Sequence, residues 1–538
     1  MVRRGCACPI DATGWAAAVN DRAGSEVMAP PNARTDAPVS TARPTVTLFP
    51  GSREDDRIDL SDQVLSFQCS ASCTSPSGTF QLRIVARQGD EAWIGRIEGS
   101  PDLLTVARMN AVISIGYDEP GGVMMGLIRG ISESATFFGN GIAREYTLTG
   151  ETMGALLTND TMLDALLTSQ NAAKFQQDIN TVLGDQNGLD AFFSRIAGPS
   201  GYGFLAATVQ DVVEWAIDNI PTMRIPLMGS VYGDPRPGVW VRTVGSVTSW
   251  NDARVFSSSL SMYNGSFFGF ISAALDLDFY EVFVDTRPAR DGLGADGVPD
   301  VELIVRPKPF DHTPAKVLPV TEETGLRWDD LRTRYNDRDN HVVELDDVLS
   351  FTLGTSVDDA YTWYMVTNDA EIIGNSAAVA AGLAFPAVDL YLVQSLGVRP
   401  YNVRLNLIGG DIQALNDADA SYLNEVVGQT IEFRNRLVNW YRYNPWMSRG
   451  TITVRGRDEF RPGEPVYLPW YQPTIGGELG ARFYCTAVAW SWSIGGRYEC
   501  QLTLERGQND TMLRAVQTMI RNASIGFPGV SPTMITTG

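Results

Sequence analysis

The residues best suited to nucleophilic, redox or metal chemistry in this chain are six cysteines and two histidines. Cys6 and Cys8 form a C-x-C pair, Cys69 and Cys73 are spaced by three residues, and Cys485 and Cys500 flank a Gly495-Gly496 turn. The first four offer thiolates for a metal or Fe–S site, or disulfides to partners. Neither spacing matches the usual zinc knuckle, so plain thiols are the favoured interpretation. In a hairpin closed by Gly495-Gly496, Cys485 falls opposite about Arg506 and Cys500 opposite about Ser491. That leaves the two sulfurs rungs apart, and no bond between them is expected. His312 and His341 lie beside Asp311 and Asn340 in polar surroundings, where a solvated imidazole is commoner than a catalytic one. G-x-S-x-G, H-E-x-x-H, a Walker loop and a G-x-G-x-x-G behind a strand are all absent. The adjacent carboxylates Asp329-Asp330, Asp346-Asp347 and Asp358-Asp359 are what an acidic surface supplies by chance. A glycosidase needs its two at a fixed separation across a cleft. With so many parts missing, no catalytic, cofactor-binding or metal residue is assigned, no cofactor is expected, and the chain is taken as non-enzymatic.

Charge and composition narrow the alternatives. The 538 residues carry a formal charge of −21, which disfavours a protein that coats phosphates with Lys and Arg. The 22 Phe, 18 Tyr and 12 Trp demand burial and exclude a disordered acidic chain. The uncharged stretch 372–388 contains Gly, Asn, Ser and Pro386 and falls short of the roughly 20 apolar residues of a bilayer-crossing helix. No stable membrane insertion is expected. The apolar patch from Trp15 to Val19 is too short for a signal sequence.

The elements that must position these residues are mostly strands. Residues 1–45 are rich in Ala, Pro, Ser and Thr and predict an extended arm. From 46 to 150 the pattern is β, with 64–69, 80–87, 104–107, 111–115, 126–131 and 143–150 as strands of a small antiparallel barrel. Residues 151–225 turn helical, and 226–350 return to a mixed α/β insertion domain with strands at 279–285 and 301–307. The acidic stretch between those strands lacks the register of a calcium loop and is taken as a hairpin tip. A mixed segment, 351–445, ends in a helix from near Ala418 to Tyr441, and 446–508 form a second β-barrel. A short helix and tail, 509–538, follow. The fold class is therefore α+β, mainly β, with two small antiparallel β-barrels. An internal duplication is suggested by NDTML at 159–163 and again at 509–513, each after a hairpin.

On the strand 483–494, Val488, Trp490 and Trp492 alternate with Cys485, Ala487 and Ala489, so both faces are expected to be apolar. For Trp490 and Trp492 two possibilities stand side by side, a contact between domains of the chain and a subunit interface.

Three stretches carry a family resemblance: 265–287 (GSFFGFISAALDLDFYEVFVDTR) with 301–311 (VELIVRPKPFD), 440–469 (WYRYNPWMSRGTITVRGRDEFRPGEPVYLP), and 57–67 (RIDLSDQVLSF) with 80–87 (FQLRIVAR). Together they make the chain resemble the baseplate hub proteins of contractile-tailed bacteriophages, the broad family that includes tail late control protein D. The resemblance implies a homotrimer whose two barrels per chain form a pseudo-sixfold ring. That ring would join the sixfold tail tube to the threefold spike and leave a channel through which phage DNA passes without specific binding. Tube, spike and baseplate wedge proteins, and a tape measure protein, are the implied partners. The implied location is the virion, with assembly in the host cytoplasm. The arm with Cys6 and Cys8 departs from the pattern and is assigned to wedge or fibre contacts. Two alternatives are a tail-associated enzyme that degrades cell wall or glycan, and a host-surface binding module.

Overall fold

In the computed structural model the main compact unit is Arg43–Gly538. The structure describes residues 43–49, 58–86, 112–117, 122–138, 141–159, 161–162, 253–255, 277–287, 300–308, 341–368, 386–405, 407–409, 440–473 and 479–509, with scattered positions in 265–272, 434–438 and 512–519. Cys6, Cys8, His312, the expected strand 104–107 and the start of the expected helix near Ala418 lie outside them.

The first block contains β1 (Thr45–Phe49), β2 (Ile58–Asp59), β3 (Val64–Ser72), β4 (Thr79–Ala86), β5 (Val112–Gly116), β6 (Met124–Phe138) and β7 (Gly141–Thr152). Period-two alternation is the cause: Phe80, Leu82 and Ile84 are buried while Gln81 and Arg83 are exposed, as a strand with one covered face requires. The bonded order is β3-β4-β7-β6-β5-β1-β2.

The middle of the chain contributes smaller pieces. A short helix, α1 (Ala155–Asn159), leads to β8 (Thr161–Met162). β9 (Ala253–Val255) and β10 (Gly265–Ser266) precede β11 (Tyr280–Arg287) and β12 (Asp300–Pro307). The last two form the expected antiparallel hairpin, paired from Tyr280↔Pro307 to Arg287↔Asp300.

The rest holds β13 (His341–Val342), β14 (Val348–Gly354), β15 (Trp363–Asn368), β16 (Ala387–Val388), α2 (Leu390–Leu396), β17 (Pro400–Leu405), β18 (Leu407–Gly409), β19 (Ser448–Arg455), β20 (Pro465–Leu468), β21 (Ala481–Ser493) and β22 (Glu499–Gln508). Asp389 caps α2 by accepting from the amides of Tyr391 and Leu392, at 3.1 and 3.2 Å. Arg442 Nε holds the same carboxylate at 2.6 Å.

Two features differ from expectation. The β blocks are not separate barrels: one 13-stranded sheet includes both, because β21 pairs with β3 from Ala487↔Ser72 to Ser493↔Ser66. One buried apolar cluster spans them, running from Val46 and Phe67 to Trp490 and Leu504. Further, the border drawn at 350/351 cuts through β14, which pairs with β19 and so belongs to the second block.

The second block has the order β14-β19-β22-β21, continuing through β20 to β13. Its first five strands, β14-β19-β22-β21-β20, match β3-β4-β7-β6-β5 in the first block, whereas β13 joins β20 in parallel and β1 joins β5 antiparallel. The match extends to details. VLSF opens β3 at 64–67 and β14 at 348–351, each after a 3-10 turn (Ser61–Gln63, Leu345–Asp347). A bulge follows at the same place in both, between Val64 and Ser66 and between Val348 and Ser350. The hairpins β6–β7 and β21–β22 also share one, at Ile128/Gly130 and Cys485/Ala487. NDTML, by contrast, occupies unlike settings. Asn159 ends α1 and Thr161–Met162 form β8, whereas Asn509 directly follows β22 and its Oδ1 accepts from Met512 N at 2.8 Å, opening a helical turn.

Candidate functional site

The seam between the blocks concentrates the residues singled out by type. In the β3–β21 pairing Trp490 stands opposite Cys69, and Trp492 opposite Phe67. The Phe67 and Trp492 rings stack with centroids 6.4 Å apart. Trp490 is 1% exposed and Trp492 9%, so both pack inside the chain's own core, across its two blocks. The expectation of two apolar faces on β21 is corrected. The bulge at Cys485/Ala487 shifts the alternation by one residue and brings Cys485 to the side of Val488, Trp490 and Trp492, in one core with Cys500, Leu502 and Leu504. The same bulge moves the partner of Cys485 from about Arg506 to Leu504, and Cys500 faces Trp490.

Cys69, Cys73, Cys485 and Cys500 are buried thiols outside any disulfide, and among the described residues no three metal-ligating side chains converge. Burial pushes the Cys69 and Cys485 thiols well above their ordinary range and Cys500 up to about 12. Such thiols are poor nucleophiles and poor ligands. His341 is not a solvated loop residue: it lies in β13, its Nε2 is 2.6 Å from Glu464 Oε2, and its ring meets Phe460 edge-on. It pins the segment after β19 to β13.

That segment, 455–464, carries a buried charge network. Asp458 accepts from Tyr117 N at 2.7 Å and from the Tyr498 hydroxyl. Arg461 donates to the carbonyls of Asp458, Gly122 and Phe460, the last at 2.8 Å, and its Nε lies 3.7 Å from Asp285 Oδ1. The side chains of Arg461 and Asp285 are 5% and 4% exposed. Thr286 Oγ1 accepts from Met125 N at 3.2 Å. Gly463 makes the turn possible with φ +78, and its amide donates to Cys485 O at 2.6 Å. The network thus ties the first block, the β11–β12 hairpin and the second block together. Its charged groups are consumed by internal partners, so the arrangement positions elements rather than performing chemistry.

A second anchor lies at the end of β22. Arg506 adopts φ +59, stacks its guanidinium 3.8 Å from the centroid of the Trp440 ring, and donates to Trp440 O and Asn444 Oδ1. Burial lowers its pKa to about 10. Next to it, Tyr361, Tyr401 and Tyr441 pack ring against ring, and Tyr401 donates to Asp278. The helix entering this anchor is described only at its end, where Leu437 is fully buried. The repeat of VLSF at 64–67 and 348–351 is the mark of the two matching blocks that the sequence carries.

No family model matches the chain, and no curated protein matches it. Solved structures similar to it include the tail protein from Neisseria meningitidis MC58, with 11% identity, 87% of this chain and 98% of that chain covered, and a TM-score of 0.45. The 43 kDa tail protein of prophage MuSo2 from Shewanella oneidensis gives 10% identity, 86% and 98% coverage, and a TM-score of 0.42. Prophage tail protein gp18 from Listeria monocytogenes EGD-e gives 10% identity, 90% and 100% coverage, and a TM-score of 0.37.

Proposed function

We propose that the chain is a non-enzymatic structural hub of a phage tail baseplate, a homotrimeric ring that joins a sixfold tail tube to a threefold spike. The observation that carries this is the matching strand order of the two blocks. A chain with two alike blocks presents six similar surfaces when three copies close around an axis, which is what an adaptor between sixfold and threefold partners needs. The matched order, the twin bulges and the repeated VLSF support an internal duplication. The stretches 57–67, 265–287 and 440–469 that carry the hub resemblance include β3, β11 and β19, the parts held together by the seam and the Asp458–Arg461–Asp285 network. Tube, spike and wedge proteins are the partners of this ring, a tape measure protein is a further one, and DNA passes through its centre. The arm before residue 46 contacts wedge or fibre proteins. Electron microscopy of the purified protein tests the proposal. Rings with six similar lobes are expected, and particles without a central opening would overturn it, as would turnover of peptidoglycan or surface polysaccharide by the pure protein.

A further inference from the structure

The two blocks differ in what covers their first strand. In the first block β3 is flanked by β4 on one side and β21 on the other, so its edges are both bonded. Its counterpart β14 pairs with β19 alone and ends the sheet among the described residues. The difference is mirrored on β6, the counterpart of β21. β21 bonds β20 through 481–484 and then β3 through 487–493. β6 bonds β5 through 124–127, but its continuation from Gly130 has no strand on that side among the described residues. Among the described residues the chain therefore offers one β3-like edge and one β21-like edge that bond no strand.

We infer that these two edges pair between chains: β14 of one copy with the 130–136 segment of β6 in the next. This rests on the ring proposed above and deepens it by naming the contact. The internal seam fixes the register. The shared bulges align Cys485/Ala487 with Ile128/Gly130, and Val64/Ser66 with Val348/Ser350. Carrying Ser491↔Gln68 and its neighbours across gives an antiparallel ladder with Ser134 opposite Thr352, Thr136 opposite Ser350 and Ser132 opposite Gly354.

Independent features favour the pairing. Ser132, Glu133, Ser134 and Ala135 are consecutively exposed, so both faces and one edge of the strand project from their own chain. Around β14, Val342, Leu345, Phe351 and Val357 are 41%, 57%, 50% and 45% exposed, an apolar border that a second chain would cover. Neither segment carries Pro or Lys, the residues that ordinarily blunt a free sheet edge.

Cysteine cross-linking tests the register, in the full chain with Cys6→Ser and Cys8→Ser to remove the arm thiols. Directly opposed residues have Cβ atoms about 5 Å apart, within reach of a disulfide. S134C with T352C is expected to give a ladder of oxidised species ending at three chains on a non-reducing gel. S134C with F351C, which points to the other face, is expected to give none. The mass of the unoxidised S134C/T352C protein is measured alongside. A trimer that does not cross-link overturns the register while leaving the ring intact, and a monomer that does not cross-link overturns both. As a second arm, S134K/A135K alters only exposed residues. It is expected to keep the circular dichroism of the parent and to lose the trimer; a persisting trimer would overturn the inference.

Discussion

Arg461 illustrates what single residues do here. Its guanidinium holds three carbonyls from two blocks and lies beside Asp285 in a site closed to water. Arg461→Met removes one partner and leaves Asp285 without its cation, so a loss of about 3–5 kcal/mol in denaturant unfolding is expected, the range for breaking a buried pair. Trp490→Ala opens a cavity at the seam and is expected to cost about 3–5 kcal/mol. The buried thiols give a milder test. In the native protein Cys69, Cys485 and Cys500 are expected to resist iodoacetamide at neutral pH and to react once denatured. The tyrosines set the alkaline limit. Burial raises the hydroxyls of Tyr401 and Tyr498 and takes Tyr441 up to about 12, from a usual value of 10.0. The folded state then keeps protons that the unfolded state releases, so stability is full below pH 10 and falls as pH rises toward 12. The phenolate absorbance of these three tyrosines is expected to appear together with loss of structure, not before it. Side-chain partnerships of this kind were out of reach of the sequence. His341 and Glu464 are 123 positions apart, and nothing local marks either as the other's partner.

At the scale of elements, alternation of apolar and polar residues made the strands legible. Phe80, Leu82 and Ile84 announced β4, and the pair at 279–285 and 301–307 announced the β11–β12 hairpin. Bulges were not legible, because one extra residue leaves composition unchanged yet reverses which side chains face the core. For that reason Cys485 was placed on the wrong side of β21. NDTML, five identical residues, stands in unlike structures at its two positions. The shorter VLSF opens the corresponding strand of each block and contains the same bulge in both. The border at 350/351 divides β14 because its partner β19 lies about a hundred residues on. Gly450 shows how closely that pair fits: with φ +147, its position would put any Cβ onto the Thr352 carbonyl. Gly450→Ala is expected to loosen β14 from β19, read as faster amide exchange across 350–354 with exchange in β3 and β4 unchanged.

For the whole molecule, the proposed ring gives the charge of −21 an expected location. A conduit for DNA works best when its wall does not hold the strand, since each Lys or Arg contact to phosphate adds drag. The acidic side chains are therefore expected to face the channel of the ring, and the oligomer is expected not to retain duplex DNA on a gel even at low salt. Closure of three copies of the chain into one ring is read from its mass in solution. A particle of three times 58.7 kDa, holding together on dilution, is the result this account predicts. A stable monomer of 58.7 kDa at the concentrations of assembly would contradict it.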